Sequence, residues 1–443
     1  MTLKEVRDCL RKLALEPAKS LGQNFLHDQN LARWMVSRLS LDHGDHVVEL
    51  GPGLGALTEY LMQAGVGRIT VVEKDGRLAG ALVQRLGNTL HVIQEDATRV
   101  DLLRFYGFGR VKVIGNLPYY VSSPILMRFL NKLSPAIRLV FAVQRELAER
   151  LVAAPHTREY GIMTVCIQHR WKIQLLRNLS PSVFYPKPRV HSSIILFTPR
   201  EVVHFCDEAL FERIVYLGFS ERRKQLRKLL GNTKGVWEKF AEEMGISPLA
   251  RAEELSHADY AELACRLSPF RPQTMAARAE ELDVVDFQNR VVTRVPRAEI
   301  HTENLPHRSV HVLIRNRVGK WFLQRRSIWK DSNPGKWDSS VAGHLLSGEG
   351  YEIAARRELC EELGVTRCDW LLKKGSLQAS AETGWEFIEV FFTQQEGPFS
   401  LTPMEIDIGA FFEEETIQRW IRKEPGSFTT TFLQCFDLIV NDH

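Results

Sequence analysis

Several absences narrow the reading of this chain before any motif does. Its seven cysteines, at 9, 166, 206, 265, 360, 368 and 435, form no C-x-x-C pair and are odd in number. That argues against a disulfide frame and for reduced thiols. No apolar run reaches the ~18–20 residues that span a bilayer, and the opening M-T-L-K-E-V-R-D-C-L-R-K-L has no uninterrupted apolar core of a secretory signal. The expectation is a soluble cytoplasmic protein with no membrane partner. There is neither an internal repeat nor a low-complexity tract, and the net charge of +4 is too small to announce a nucleic-acid binder by itself. Charge is instead clustered: Arg222, Arg223, Lys224, Arg227 and Lys228 would spread a basic face if the segment is helical.

What is present is ample for folding. A chain of 443 residues with 44% hydrophobic and 25% charged residues is ordinary for soluble proteins and too long for one core. Short apolar runs at Val47–Leu50, Ile69–Val72, His91–Ile93, Val111–Ile114, Leu139–Val143 and Ile194–Phe197 alternate with amphipathic segments, the rhythm of a doubly wound α/β sheet. Beyond Pro199 the β-branched runs stop, and F-E-R-I-V-Y-L-G-F and H-A-D-Y-A-E-L-A-C-R-L carry helical periodicity to about Leu267. Ser268–Glu281, with two prolines followed by polar residues, reads as a linker. A second α/β unit follows, with strands expected at Val284–Phe287, Ser309–Arg315, Trp321–Gln324 and Glu386–Phe392 and helices at Tyr351–Leu363 and near Ile417. The expected domains are therefore 1–198, 199–267, a linker 268–281, and 282–443.

In the first domain V-V-E-L-G-P-G-L-G-A-L-T, Val47–Thr58, is a strand running into a glycine-rich turn and a helix start. Glycines at 51, 53 and 55 let backbone approach a ligand closely, and Glu73 ends the next strand. These features alone also suit a dinucleotide enzyme. Gly115-Asn116-Leu117-Pro118-Tyr119 after the strand V-K-V-I favours another chemistry. An adenine N6 amine is a poor nucleophile because its lone pair is delocalised into the ring. Methylating it takes acceptors for the amine hydrogens and a flat surface for the base. Asn116 offers a side-chain carbonyl, Leu117 or Pro118 a backbone carbonyl, and Tyr119 a ring.

With these motifs the chain resembles the small-subunit ribosomal RNA adenine dimethyltransferases. The resemblance also rests on L-G-Q-N-F-L (Leu21–Leu26), V-E-K-D (Val72–Asp75), E-D-A (Glu95–Ala97), F-Y-P-K-P-R-V-H-S-S (Phe184–Ser193), F-S-E-R-R-K-Q-L-R-K-L-L (Phe219–Leu230) and R-A-E-E-L-S (Arg251–Ser256). It implies a Rossmann-like sheet with a small all-α domain, S-adenosylmethionine as cofactor, and two adjacent adenines near the 3′ end of small-subunit rRNA, free or in a 30S precursor, as target. By the same resemblance Gln23, Asn24, Leu26, Gly51, Gly53, Gly55, Glu73, Asp96 and Asn116 bind the cofactor, Glu73 at the ribose and Asp96 at the adenine amine. Asn116 and Pro118 grip the target N6, Tyr119 and Phe184 sandwich the base, and the basic run contacts RNA. Lys74 departs from the family's more usual apolar residue. Large-subunit adenine methyltransferases share the motifs and remain an alternative, as does a ribosome-assembly scaffold.

The second domain carries G-H-L-L-S-G-E-G-Y-E-I-A-A-R-R-E-L-C-E-E-L-G-V, Gly343–Val365. Glu358 and Glu362, at i and i+4, share a helix face with Glu361 beside them, and Glu349 arrives from the preceding loop. Carboxylates so crowded repel one another unless a divalent ion neutralises them. The pattern resembles the Nudix box, which implies an α/β Nudix fold using Mg²⁺ or Mn²⁺ to hydrolyse a nucleoside or other organic diphosphate. Glu358, Glu361 and Glu362 are the expected metal ligands, Glu349 supports them, and Arg357 orients a carboxylate. The flanking H-R-S-V-H-V, L-Q-R-R-S and P-G-K-W-D-S-S-V-A-G-H look most like the subgroup near isopentenyl-diphosphate isomerase. That isomerase has a cysteine where Ala342 stands, so isomerase chemistry is disfavoured.

Overall fold

His46–Leu50 (β1) is buried at every position, a pattern a strand sustains when both faces of its sheet are covered. In the computed structural model β1 lies inside a seven-stranded sheet. The structure describes residues 1–443 apart from 18–22, 88, 201–206, 232–234, 269–280, 331 and 441–443, and apart from the side chains of 298 and 301. Most of the expected linker, together with Leu21, Gly22 and Cys206, therefore lies outside the described residues. The chain divides into two compact units, Met1–Leu267 and Ser268–His443.

In the first unit β1 is joined by Arg68–Glu73 (β2), His91–Gln94 (β3), Val111–Asn116 (β4), Ala136–Gln144 (β5), Trp171–Leu179 (β6) and Ser192–Pro199 (β7). The spatial order is β3-β2-β1-β4-β5-β7-β6. The first five strands are parallel, and β7 runs antiparallel to both β5 and β6. Successive residues of one strand serve opposite faces, as the two-residue period requires. Val48, Val113 and Phe141 enter one apolar cluster, and Val47, Ile114 and Val140 the other. Strand order reverses between β1 and β4, so the carboxyl ends of these two strands open a crevice, the usual ligand site of such sheets. Helix Thr58–Gln63 (α1) follows the glycine-rich turn, and Gly76–Leu86 (α2) follows β2.

Among the described residues from Asp207 to Leu267 the regular elements are helical, with Glu208–Ser220 (α3) and His257–Leu267 (α4) among them. Their core of Phe211, Trp237, Phe240 and Tyr260 also takes in Tyr160 and Val165. The helical part therefore shares its interior with residues that precede Pro199. The basic run does not form one helical face, because residues 221–224 are a turn and bend and only Leu226–Leu229 are α-helical. Arg222, though exposed, is held to Glu253 and to the carbonyls of Arg158 and Tyr160, and Lys224 pairs with Glu221. Arg223 and Lys228 stay exposed.

The second unit contains a hairpin, Glu281–Val285 (β8) with Val291–Pro296 (β9), and a mixed seven-stranded sheet. Its strands are His307–Arg315 (β10), Trp321–Arg326 (β11), Trp337–Asp338 (β12), Val341–His344 (β13), Leu372–Leu377 (β14), Glu386–Gln394 (β15) and Ile406–Phe412 (β16). The main path is β12-β11-β10-β15-β14, with β13 paired to β10 and β16 to β11. Helix Tyr351–Leu363 (α5) packs Ala354, Ala355, Leu359 and Leu363 into a core with Val310, Val312, Phe322 and Phe391. Asp283 of β8 accepts bonds from Ser347 Oγ and the Gly348 N–H, tying the hairpin to the loop that precedes α5. Phe287, expected in a strand, lies in the hairpin turn and is exposed.

Candidate active sites

A cavity of about 330 Å³ opens at the carboxyl ends of β1, β2 and β4. Its lining includes Gln23, Asn24, Leu26, Gly51, Gly53, Glu73, Asp96, Asn116, Pro118 and Tyr119. Strand register brings these together: Leu50 pairs with Gly115, so the turn at Gly51 lies beside Asn116. Gly51, Gly53 and Gly55 have φ of 63°, 55° and 81°, in the left-handed region that side chains other than glycine's rarely enter.

Two expected residues do not line the cavity. A Cβ at Gly55 would come 2.6 Å from Arg85 Nη2 and 2.7 Å from Leu82 Cδ2 on α2, so this glycine serves helix packing. Phe184 is 3% exposed and pairs with Leu26 in a two-stranded ribbon, packed in the apolar cluster of Leu26 and Leu179. Tyr119 does line the cavity, and its hydroxyl shares a 2.5 Å hydrogen bond with Ser192 Oγ. That bond joins the G-N-L-P-Y and F-Y-P-K-P-R-V-H-S-S motifs.

Polar atoms on the wall have defined partners. Asn116 Nδ2 donates to the Asn24 carbonyl at 2.8 Å, which leaves Oδ1 as the acceptor end of the amide. The Pro118 carbonyl already accepts from the Val121 N–H at 3.1 Å and Ser122 Oγ at 2.9 Å. Glu73 accepts from the N–H groups of Gly53 (3.2 Å) and Asp75 (2.9 Å). Burial pushes its carboxyl up, and these two bonds offset part of the rise. Burial also opposes ionisation of Asp96, but the Lys74 ammonium and the Thr98 N–H and hydroxyl outweigh it and hold the group down at about 2.

The sequence marks Lys74 only as a departure from the family pattern, without a role, and does not single out Tyr120 or Glu49 as wall residues. Lys74 Nζ lies 2.9 Å from Asp96 Oδ2, a contact set by the parallel pairing of β2 and β3 and therefore invisible in either motif alone. Tyr120 lines the cavity while half exposed. Glu49, 1% exposed, accepts a 2.7 Å bond from Thr58 Oγ1. It lies inside the V-E-L-G motif, where an acidic residue in a buried strand was the available signal.

In the second unit the expected carboxylates gather around a cation supplied by the chain. Arg357 donates from Nε and Nη2 to both oxygens of Glu349 at 2.9 Å, and from Nη1 to Glu358 at 2.7 Å and Glu361 at 3.1 Å. Its Nη2 also reaches the His344 carbonyl at 2.9 Å. Glu362 lies apart from this set, buried, and accepts from Gln324 Nε2 at 3.2 Å. Burial lifts Glu358 to about 7 against the pull of Arg357, and burial with the neighbouring Glu358 lifts Glu362 well above the carboxylate range. Two carboxyl groups held toward their protonated forms one helical turn apart, Glu362 buried and Glu358 partly exposed, form a donor set that a dication suits. A Cβ at Gly343 would overlap the Glu358 carboxylate, so the glycine of the box is required by that close approach.

A glycine-floored crevice at the reversal point of such a sheet, followed by N-L-P-Y, defines a methyltransferase of the Rossmann-like class acting on an amino nitrogen. The ribosomal RNA adenine dimethylase family model matches residues 15–268, and the chain belongs to that family. A NUDIX domain model matches residues 305–425, so the chain joins the two. Ribosomal RNA small subunit methyltransferase A of Halothermothrix orenii is 36% identical over 264 residues, covering 56% of this chain and 87% of the relative. The protein of the same name from Myxococcus xanthus is 36% identical over 275 residues, covering 60% and 97%. Among solved structures, a dimethyladenosine transferase from Plasmodium falciparum is 21% identical with a TM-score of 0.46, covering 54% of this chain and 95% of its own.

Proposed function

We propose that the first unit transfers methyl groups from S-adenosylmethionine to N6 of two adjacent adenines near the 3′ end of small-subunit rRNA, in the cytoplasm and on free RNA or a 30S precursor. The observation that carries this reading is the amide of Asn116, turned by its bond to Asn24 and set beside the Gly51 turn at the wall of the cavity. The cofactor, when bound, supplies a methyl group on a positively charged sulfur. Glu73 binds its ribose hydroxyls and Asp96 its adenine amine, with Gln23, Leu26, Gly51 and Gly53 closing around it.

The chain's remaining task is to orient the nucleophile. Asn116 Oδ1 accepts one N6 hydrogen. The Leu117 carbonyl accepts the other, because the Pro118 carbonyl is already bonded to Val121 and Ser122. Tyr119, held by Ser192, offers its ring to the base. Arg223 and Lys228, exposed on the helical part, contact the RNA backbone. In the domain reading that accompanies this, 1–198 does the chemistry, 199–267 binds RNA, and 268–281 links to 282–443.

For the second unit the proposal is metal-dependent hydrolysis of a nucleoside or other organic diphosphate. Glu358, Glu361 and Glu362 would hold Mg²⁺ or Mn²⁺ with Glu349 in support, and the ion would supply Lewis-acid activation of the diphosphate, while Arg357 ties Glu349, Glu358 and Glu361 together. The experiment for the first unit is Asn116→Ala, read by S-adenosylhomocysteine binding and by methyl transfer to unmodified 30S particles. Binding persists and transfer is lost; equal loss of both assigns Asn116 a structural role.

A further inference from the structure

Apart from the box carboxylates, three side chains on neighbouring strands converge. His307 opens β10 and pairs in register with Glu386, which opens β15, while Ser309 two residues along β10 pairs with His344 at the end of β13. His307 Nε2 lies 3.7 Å and His344 Nε2 3.5 Å from the same oxygen, Glu386 Oε1. All three donor atoms lie within 4.8 Å of one another, and among the described residues this is the one group of three or more such side chains so arranged.

The spacing discriminates between two readings. A charge-assisted hydrogen bond would draw imidazole and carboxylate to about 2.7–2.9 Å. Ligands bonded at about 2.0–2.1 Å around a tetrahedral ion stand about 3.3 Å from one another, nearer to what is found. The surroundings also orient ligands. His307 Nδ1 is 2.8 Å from the Leu305 carbonyl, which fixes the tautomer with Nε2 as the ligating atom. Ser309 Oγ donates to Glu386 Oε2 at 2.6 Å, which turns Oε1 toward the two imidazoles. His307 is buried, whereas His344 and Glu386 are partly exposed, so an ion has a route in.

We propose that His307, His344 and Glu386 form a binding site for a borderline divalent cation of the zinc class, separate from the box carboxylates. Two imidazole nitrogens and one carboxylate suit zinc, cobalt or manganese better than magnesium, which favours oxygen ligands. Three protein ligands leave a coordination position for water or an oxygen of a bound molecule. The site meets the box at His344, the second residue of the box segment, whose carbonyl accepts from Arg357.

The test is metal stoichiometry of the full chain after chelation and titration with Zn²⁺, alongside Cu²⁺ electron paramagnetic resonance for nitrogen coupling. The wild type takes up Zn²⁺ at this site in addition to any at the box and shows coupling to two imidazoles. His344→Gln and Glu386→Gln each weaken that binding more than tenfold, and Ser309→Ala about tenfold, while Glu361→Gln leaves it intact. Absence of nitrogen coupling in the wild type overturns the proposal even if the ligand variants fold poorly. Uptake unaffected by His344→Gln and Glu386→Gln, or lost with Glu361→Gln, overturns it as well.

Discussion

Glu49 is the buried acid whose energetic consequence is most directly calculable. It sits within β1 at the cavity wall, bonded by Thr58. Burial lifts its carboxyl from the ordinary 4.5 to about 8, with Thr58 drawing it back and Glu73 adding to the rise. In the unfolded chain the group ionises near 4.5, so between there and about 8 the unfolded form gives up a proton that the folded form keeps. The unfolded state then binds fewer protons, and stability falls as pH rises through that window, levelling off above it. At 1.36 kcal/mol per pH unit the loss is about 3 kcal/mol by pH 7 and about 5 kcal/mol above pH 8. Glu49→Gln removes the titration while keeping the shape and a polar contact with Thr58. Relative to wild type it is near neutral at pH 4.5 and more stable by roughly 3 kcal/mol at pH 7. Denaturant-dependent hydrogen exchange at Val47–Leu50 confines the readout to this unit. A difference that does not change between pH 4.5 and 8 would show that Glu49 is ionised in the fold and refute the reasoning.

Gly55→Ala forces a side chain onto φ of 81° and into Arg85 and Leu82. It costs about 2–4 kcal/mol by chemical denaturation, and an unchanged midpoint would show that the α2 contact is slack. Lys74→Met frees Asp96 from a largely exposed ion pair, so S-adenosylhomocysteine binds modestly tighter by calorimetry; weaker binding would mean that Lys74 orients Asp96 for the cofactor. Arg357→Met removes the cation that links Glu349, Glu358 and Glu361. The metal-free second unit loses about 2–4 kcal/mol, and Mg²⁺ raises its Tm by more than it raises that of the wild type. An equal rise in both proteins would place the ion away from these carboxylates.

The α/β class and the parallel strands were legible because β-branched runs such as Val111–Ile114 recur between amphipathic segments. Strand β6, W-K-I-Q-L-L-R-N-L, was missed because it lies at the sheet edge with much of its length exposed and lacks a buried strand's apolar run. Gly51, Gly53 and Tyr119 could be placed at the first site from local motifs, since Gly51 and Asn116 each follow a recognisable strand, whereas Gly55 serves helix packing. Their side-chain partners could not. Lys74 meets Asp96, and Tyr119 meets Ser192, only through pairing and packing of elements distant in sequence. Phe184 shows the converse: its motif is clear, yet the ribbon with Leu26 places the ring in the core. The His307, His344 and Glu386 cluster was hidden for the same reason, with three strands each contributing one residue to it.

The central claim is tested most directly by incubating the full chain with S-adenosylmethionine and 30S particles lacking base methylation, then digesting the RNA and quantifying modified nucleosides by mass spectrometry with the modified positions mapped. The account predicts N6,N6-dimethyladenine at two adjacent positions near the 3′ end of the small-subunit RNA, and none with Asn116→Ala. No methylated adenine in the wild-type reaction, or methylation of large-subunit RNA instead, would contradict it.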